Sequence, residues 1–176
     1  MQWFFWAFGL LNIGYWAHLN LKASRSQTQG ARELERPEVS VSVRPPAGEV
    51  VGRLEIPRLS LSTVVFEGAD PDVLERGAGH LPGSALPGDS GNTVLAAHRD
   101  TFFRPLRAIQ VGDVVKIHTR PKNSVYVVQS ARIVEPDDVD VLKPTSEPAL
   151  TLITCYPFRY IGPAPERFVV RAVLAQ

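Results

Sequence analysis

The sequence predicts an all-β domain, a sandwich or a barrel, set behind an apolar N-terminal segment. Three observations predict it. From Val50 onward the chain breaks into short runs of β-branched and aliphatic residues, each closed by Gly, Pro or Asp/Ser turn signals. No βαβ alternation and no internal repeat appears. Residues 1–23, "MQWFFWAFGLLNIGYWAHLNLKA", carry no formal charge before Lys22, about the ~20 apolar residues that a spanning helix needs.

The N-terminal run is read as a membrane anchor. Trp3, Trp6, Tyr15 and Trp16 suit interfacial belts. A cleaved signal peptide fits less well, because no basic region precedes the apolar stretch. Lys22, Arg25 and Arg32 follow the span, so the charge rule taken alone would keep the remainder inside. Residues 24–49 are polar, of mixed charge and Pro-bearing, and read as a linker with a short helix near Ala31–Glu35. Residues 50–176 are the folded domain.

Within that domain "VVGRLEI" and "LSTVVFE" are strands separated by "PRLS". "DPDVLERG" is a short helix with Asp70 as N-cap, Pro71 in the first turn and Gly77 at its end. "GAGHLPGSALPG" reads as a loop, followed by the strand "NTVLAA". "TFFRPLRAI" is a turn or two of helix broken by Pro105. "GDVVKIHT" and "SVYVVQSARIV" form a hairpin through "RPKN", and "ALTLITC" and "RFVVRAVLA" close the chain.

Composition excludes several functions. A net charge of +1 with no aromatic-studded basic patch argues against nucleic acid. One cysteine permits no intramolecular disulfide and no Cys-rich metal site. "EPDDVD" (135–140) bunches four carboxylates but lacks the glycine and terminal Glu of a calcium loop. No metal and no cofactor is expected.

The single cysteine carries the functional question. On composition alone a lone Cys is more often an inert small hydrophobe. Cys155, however, ends a strand just before Pro157, where a rigid backbone meets an open loop. With period two, Thr151, Ile153 and Cys155 share one face, and Arg167, Val169 and Arg171 share a face of the last strand. Antiparallel pairing of the two brings Arg167 to Cys155 and carries Arg171 roughly 13 Å away, at ~3.3 Å per residue. Arg159, in the intervening loop, is the rival cation. A thiol nucleophile wants an imidazole. His98 ends "NTVLAAH" as Cys155 ends its own strand; His80 is the second candidate, His118 decorates a strand and His18 lies in the leader. Asp100 either orients His98 or caps the following turn, the cap being preferred.

These residues carry a resemblance. "TLITC" is similar to the TLxTC signature of sortases, the cysteine transpeptidases of bacterial cell surfaces. "GHLPGSALPGDSGNTVLAAHRDTFFRPL" and "CYPFRYIGPAPERFVVRA" resemble the histidine- and arginine-bearing segments of class D sortases. Ala97 stands where the family often has Gly, and Ser84 where it often has Thr; neither is a reacting group. The resemblance implies a closed eight-stranded sortase-type β-barrel. It implies Cys155 as nucleophile, His98 as acid/base and Arg167 as the cation beside the oxyanion. On position alone, Thr154, next to the nucleophile, either lines the site or satisfies local backbone groups, and Tyr156, in the loop that follows, is either a substrate contact or a packing residue. The resemblance implies partners: surface proteins with a C-terminal LPxTG-like sorting motif, and an amine acceptor such as cell-wall peptide or another protein. It also implies anchorage in the cell membrane with the catalytic domain on the extracytoplasmic side. The rival readings are a cell-wall cysteine peptidase that releases product to water, and a non-catalytic surface module.

Overall fold

The computed structural model describes residues 21, 24–25, 27–32, 44–120 and 122–175; the apolar run assigned as an anchor lies, but for Leu21, outside them. Among the described residues no helix is long and apolar enough to cross a membrane.

Eight strands close into one barrel: β1 (Val50–Ile56), β2 (Leu61–Glu67), β3 (Ala78–His80), β4 (Asn92–Ala96), β5 (Val114–His118), β6 (Asn123–Val134), β7 (Ala149–Tyr156) and β8 (Glu166–Leu174). Round the barrel the order is β1-β2-β3-β4-β7-β8-β6-β5. The pairs β2–β3 and β4–β7 are parallel; the other six are antiparallel. Closure gives every strand a neighbour on each side, although β3 covers only Val65–Glu67 of β2.

Alternation along the strands fills the interior. Leu54 and Ile56 from β1, Leu95 from β4, Ile117 from β5, Tyr126 and Val128 from β6, and Leu150 and Leu152 from β7 form one core with the buried loop residues Phe103 and Leu106. The first half of β7, Ala149–Leu152, is buried on both faces, with residues 140–145 over its outer side, while Ile153 and Cys155 on that side are half-buried. A second small cluster, Val64, Phe66 and Val73, lies outside the barrel wall.

The helix α1 (Pro71–Leu74) forms as the sequence dictates, the Asp70 carboxylate accepting from Val73 N. β3 is the strand that the sequence reading takes for loop. Gly79 is there for contact rather than flexibility: a Cβ would stand 2.4 Å from the Gly68 carbonyl. Residues 27–32, inside the segment read as a linker, are helical. Gln27 closes the open edge of β2 there, its amide oxygen accepting from Val64 N at 2.7 Å and its amide nitrogen donating to Arg76 O. Gly30 lies against Val64, where a Cβ would meet a methyl at 2.8 Å.

Candidate active site

Two register facts place Cys155. In the antiparallel pair β7–β8, Cys155 stands opposite Arg167, Ile153 opposite Val169 and Thr151 opposite Arg171. In the parallel pair β4–β7, Ala96 is the partner of Ile153. His98 lies two residues beyond Ala96 and Cys155 two beyond Ile153, so the two fall level. The pairing persists past the end of β4, with Ala97 N donating to Ile153 O at 3.2 Å. Thr154 Oγ1 then donates to Ala97 O at 2.7 Å. His98, Cys155 and Arg167 thus occupy one row across three neighbouring strands at one end of the barrel. At ~4.8 Å between strands the row is roughly 10 Å wide.

Each member is presented differently. Cys155 is half-buried and unpaired with any other sulfur. His98 is exposed; among the described residues no hydrogen bond joins its ring to Cys155 or to any other group. The half-buried Arg167 is steered by its own loop, Nη1 donating to Ala164 O at 3.2 Å and Glu166 O at 3.0 Å. It has no carboxylate partner among the described residues, which leaves guanidinium N–H groups for another acceptor.

The remaining sequence candidates separate cleanly. Arg171 sits four residues further along β8, opposite Thr151, its Nη1 donating to Thr151 Oγ1 at 2.7 Å. Arg159 is exposed in the β7–β8 loop. His80 is fully buried on β3 rather than in a loop; its Nδ1 lies 2.6 Å from Glu67 Oε2 and its Nε2 2.9 Å from Ala85 O. Arg44 pairs with the same Glu67, so this imidazole pins the 81–91 loop and is closed to solvent. His118 lies on β5 within 3.0 Å of Asn123 Oδ1 and 3.5 Å of Glu55. Thr154 is only 3% exposed and faces inward. Its hydroxyl is committed to Ala97 O, the residue before His98. Tyr156 stacks near Phe168 and meets Phe158 edge-on, with centroids 6.3 and 6.0 Å apart.

The preferred reading of Asp100 as a cap is corrected. The 3-10 turn runs over Arg104–Ala108 with Phe103 as its N-cap and no side-chain cap. Phe103 N–H is already satisfied by His98 O at 3.0 Å. Asp100 also makes no hydrogen bond to His98, and is exposed. The acidic stretch is partly local capping: Asp138 accepts from Asp140 N at the start of the 3-10 turn Val139–Leu142, and Asp140 pairs with Lys143. Among the described residues no group of three or more His, Cys, Asp or Glu could hold a metal.

Arg99 is a residue that sequence reasoning missed. Its guanidinium donates to Pro157 O at 2.7 Å and Tyr160 O at 2.9 Å, and stands 5.8 Å from the Tyr160 ring. It joins the segment that carries His98 to the loop between Cys155 and Arg167. No periodicity or spacing separates such an arginine from a solvated surface cation.

Comparison with known proteins gives the same answer at three levels. The family described as Sortase domain matches residues 54–175. The chain is 33% identical over 155 residues to Sortase D of Bacillus subtilis (strain 168), covering 88% of this chain and 78% of that protein. Among solved structures, the Clostridium perfringens Sortase D5 transpeptidase superposes with a TM-score of 0.73 at 26% identity, covering 88% of this chain and 98% of that one. Sortase C from Clostridium perfringens SM101 gives 0.68 at 26% identity, covering 93% and 97%. The closed mixed barrel, the thiol at the end of β7 and the match over nearly the whole domain converge: the chain belongs to the sortase family of cysteine transpeptidases.

Proposed function

We propose that this chain cleaves an LPxTG-like C-terminal sorting motif in surface proteins, holds the acyl product as a thioester on Cys155, and transfers it to an amine. The observation that carries the reading is the single row of His98, Cys155 and Arg167.

In the first half-reaction the Cys155 thiolate attacks the carbonyl carbon before the scissile bond. Negative charge gathers on the carbonyl oxygen, and Arg167, whose guanidinium stays charged and already leans on two loop carbonyls, donates to it. The His98 imidazolium gives its proton to the departing amine. The absence of a direct Cys155–His98 hydrogen bond leaves room for the scissile amide between the two groups. In the second half-reaction an incoming amine attacks the thioester, neutral His98 takes its proton, and the thiolate leaves. Water at the same step gives hydrolysis. Thr154 and Tyr156 act in this scheme through position: Thr154 holds the His98 segment, and Tyr156 with Phe158 and Phe168 builds the wall beside the thiol.

The apolar run 1–23 supports a membrane anchor; the place of the barrel outside the cytoplasm rests on the sortase family alone, against the charges that follow the run. The amine acceptor is cell-wall peptide or another surface protein.

The test is incubation with a library of sorting-motif peptides, followed by intact mass spectrometry. The expected result is a mass increase on Cys155 equal to the acyl fragment, discharged to an amide product by added amine. A product that is only hydrolysed at saturating amine would refute transfer. No adduct with any motif would refute the substrate class.

A further inference from the structure

A cavity of about 330 Å3 opens on the outer face of β6, β7 and β8, under residues 140–145. Its lining includes Ser130, Arg132, Thr145, Thr151, Val169 and Arg171. Register puts it on the face that carries Cys155 and Arg167, four residues back along β7 and β8. Arg171 is the unusual member. It is half-buried and spends one N–H on Thr151 Oγ1. Thr151 in turn donates to Asn92 Oδ1 at 2.7 Å, and Asn92 Nδ2 donates to the carbonyls of Val141 and Lys143. The guanidinium is therefore fixed by a chain of hydrogen bonds that also holds the cavity's roof.

No carboxylate among the described residues pairs with Arg171. The acid that lines the cavity, Asp140, is engaged by Lys143 at 2.7 Å. Burial lowers the Arg171 pKa from its usual range, and the neighbouring Arg132 charge lowers it further. A partly desolvated guanidinium with spare N–H groups and a second cation beside it favours an anion, and a planar carboxylate fits its fork.

Distance says where the anion lies in a substrate. Arg171 is four residues along β8 from Arg167, which stands opposite Cys155, or ~13 Å at ~3.3 Å per residue. An extended peptide advances at the same rate, so a residue four positions upstream of the carbonyl at Cys155 reaches Arg171. Between them the half-buried Ile153, packed beside the buried Val169, is the apolar surface that the motif's apolar letters would pass. The peptide N-terminal to the scissile bond stays attached through both half-reactions, so it profits from a built surface here.

Resting on the proposed function, we infer that Arg171, with Arg132, binds an acidic side chain at the fifth residue before the scissile bond, the position immediately ahead of an LPxTG-like motif.

The experiment uses the full chain in detergent micelles and four peptides that differ only at that residue: Glu, Gln, Ala and Lys. Both kcat/KM and binding by titration calorimetry are measured. Wild type is expected to favour Glu over Gln by about tenfold in kcat/KM, with Lys the poorest, and the preference should shrink as salt rises. In Arg171→Gln the Glu-to-Gln ratio should fall to about one. Should that variant not fold, Arg132→Gln is expected to reduce the ratio, and the wild-type comparison decides by itself. Equal kcat/KM for Glu, Gln and Lys in the wild type overturns the inference while leaving sorting-motif cleavage intact. If no peptide is cleaved, the proposed function fails, and the calorimetric preference for Glu over Gln still decides whether the cavity takes a carboxylate.

Discussion

Arg99→Ala is the substitution that most directly tests how the site is held. Two hydrogen bonds, to Pro157 O at 2.7 Å and Tyr160 O at 2.9 Å, tie the loop between β7 and β8 to the residue after His98. Each involves a charged donor and is partly open to water, so about 1 kcal/mol apiece is a fair net value. Losing both shifts the closed-to-open ratio of that loop about 30-fold, since ~1.4 kcal/mol is tenfold. Little else restrains the loop tip: Tyr160 is 49% exposed and Ile161 100% exposed. The loop leads straight into Arg167, so the expected fall in kcat/KM on a motif peptide is about tenfold, with the 30-fold shift as ceiling. The melting temperature should fall by several degrees, because up to the same ~2 kcal/mol is lost from the folded state. Hydrogen exchange at amides 158–162 should rise by a similar factor, a change that simple loss of a surface charge would not cause. Arg99→Lys keeps the charge but not the two-pronged geometry, and should recover only part of the activity. Unchanged exchange in the loop together with unchanged kcat/KM in Arg99→Ala would refute the clamp.

Three further substitutions address the neighbouring parts. Thr154→Val keeps the shape of a buried side chain but removes the donor to Ala97 O; about 1–2 kcal/mol of stability should be lost in a denaturant titration, and activity should fall because the His98 segment loosens, whereas Thr154→Ser should retain most of both. Arg167→Lys offers a point charge without the guanidinium fork, and single-turnover acylation should slow by about 100- to 1,000-fold; acylation at the wild-type rate would remove Arg167 from the chemistry. Asp113 is 7% exposed; the hydrogen bonds from Arg58 hold its carboxyl below the usual range, against the opposing pull of burial, with Gln110 N adding a further bond. Its stabilising effect is therefore full above the unfolded value of about 4 and lost as pH falls through the lower folded value. Melting curves from pH 7 to 2 should show wild type losing stability on that acid limb, and Asp113→Asn, already less stable at pH 7, should be flatter there; parallel curves would contradict the assignment.

The strands were legible because this chain punctuates them with turn residues. The runs read as β1 and β2 coincide with the observed strands, and the others agree to within two residues at their ends. β3 was hidden by Gly79 within it and Gly77 just before it, which serve close backbone approach there, whereas such glycines elsewhere usually mark loops. The proximity of Arg167 to Cys155 followed from antiparallel pairing and strand length. The parallel pairing of β4 with β7, which levels His98 with Cys155, does not follow from any local pattern: it is a long-range choice of neighbour. The Asp100 cap failed because Phe103 N–H already has a backbone acceptor in His98 O, which no side-chain spacing reveals. The helix at 27–32 looked like tether because its contact with the barrel rests on one polar side chain and one glycine rather than on an apolar stripe.

The topology explains why one end of this barrel can hold the chemistry. Parallel neighbours finish at the same rim, so β4 delivers His98 two residues past its end and β7 delivers Cys155 within its last two residues. β8 runs the other way and therefore begins at that rim, contributing a third. A fully antiparallel path through β4 and β7 would place His98 and Cys155 at opposite ends of the strands, some five residues or roughly 16 Å apart. The arrangement also depends on phase. Thr154 points inward to Ala97 O while Cys155 points outward beside Arg167. A one-residue slip of β7 would exchange them, burying the thiol and exposing the hydroxyl. The inward row Leu150, Leu152 and Thr154 is packed into the core and hydrogen-bonded at its end, so the same contacts that stabilise the barrel fix which way the nucleophile faces.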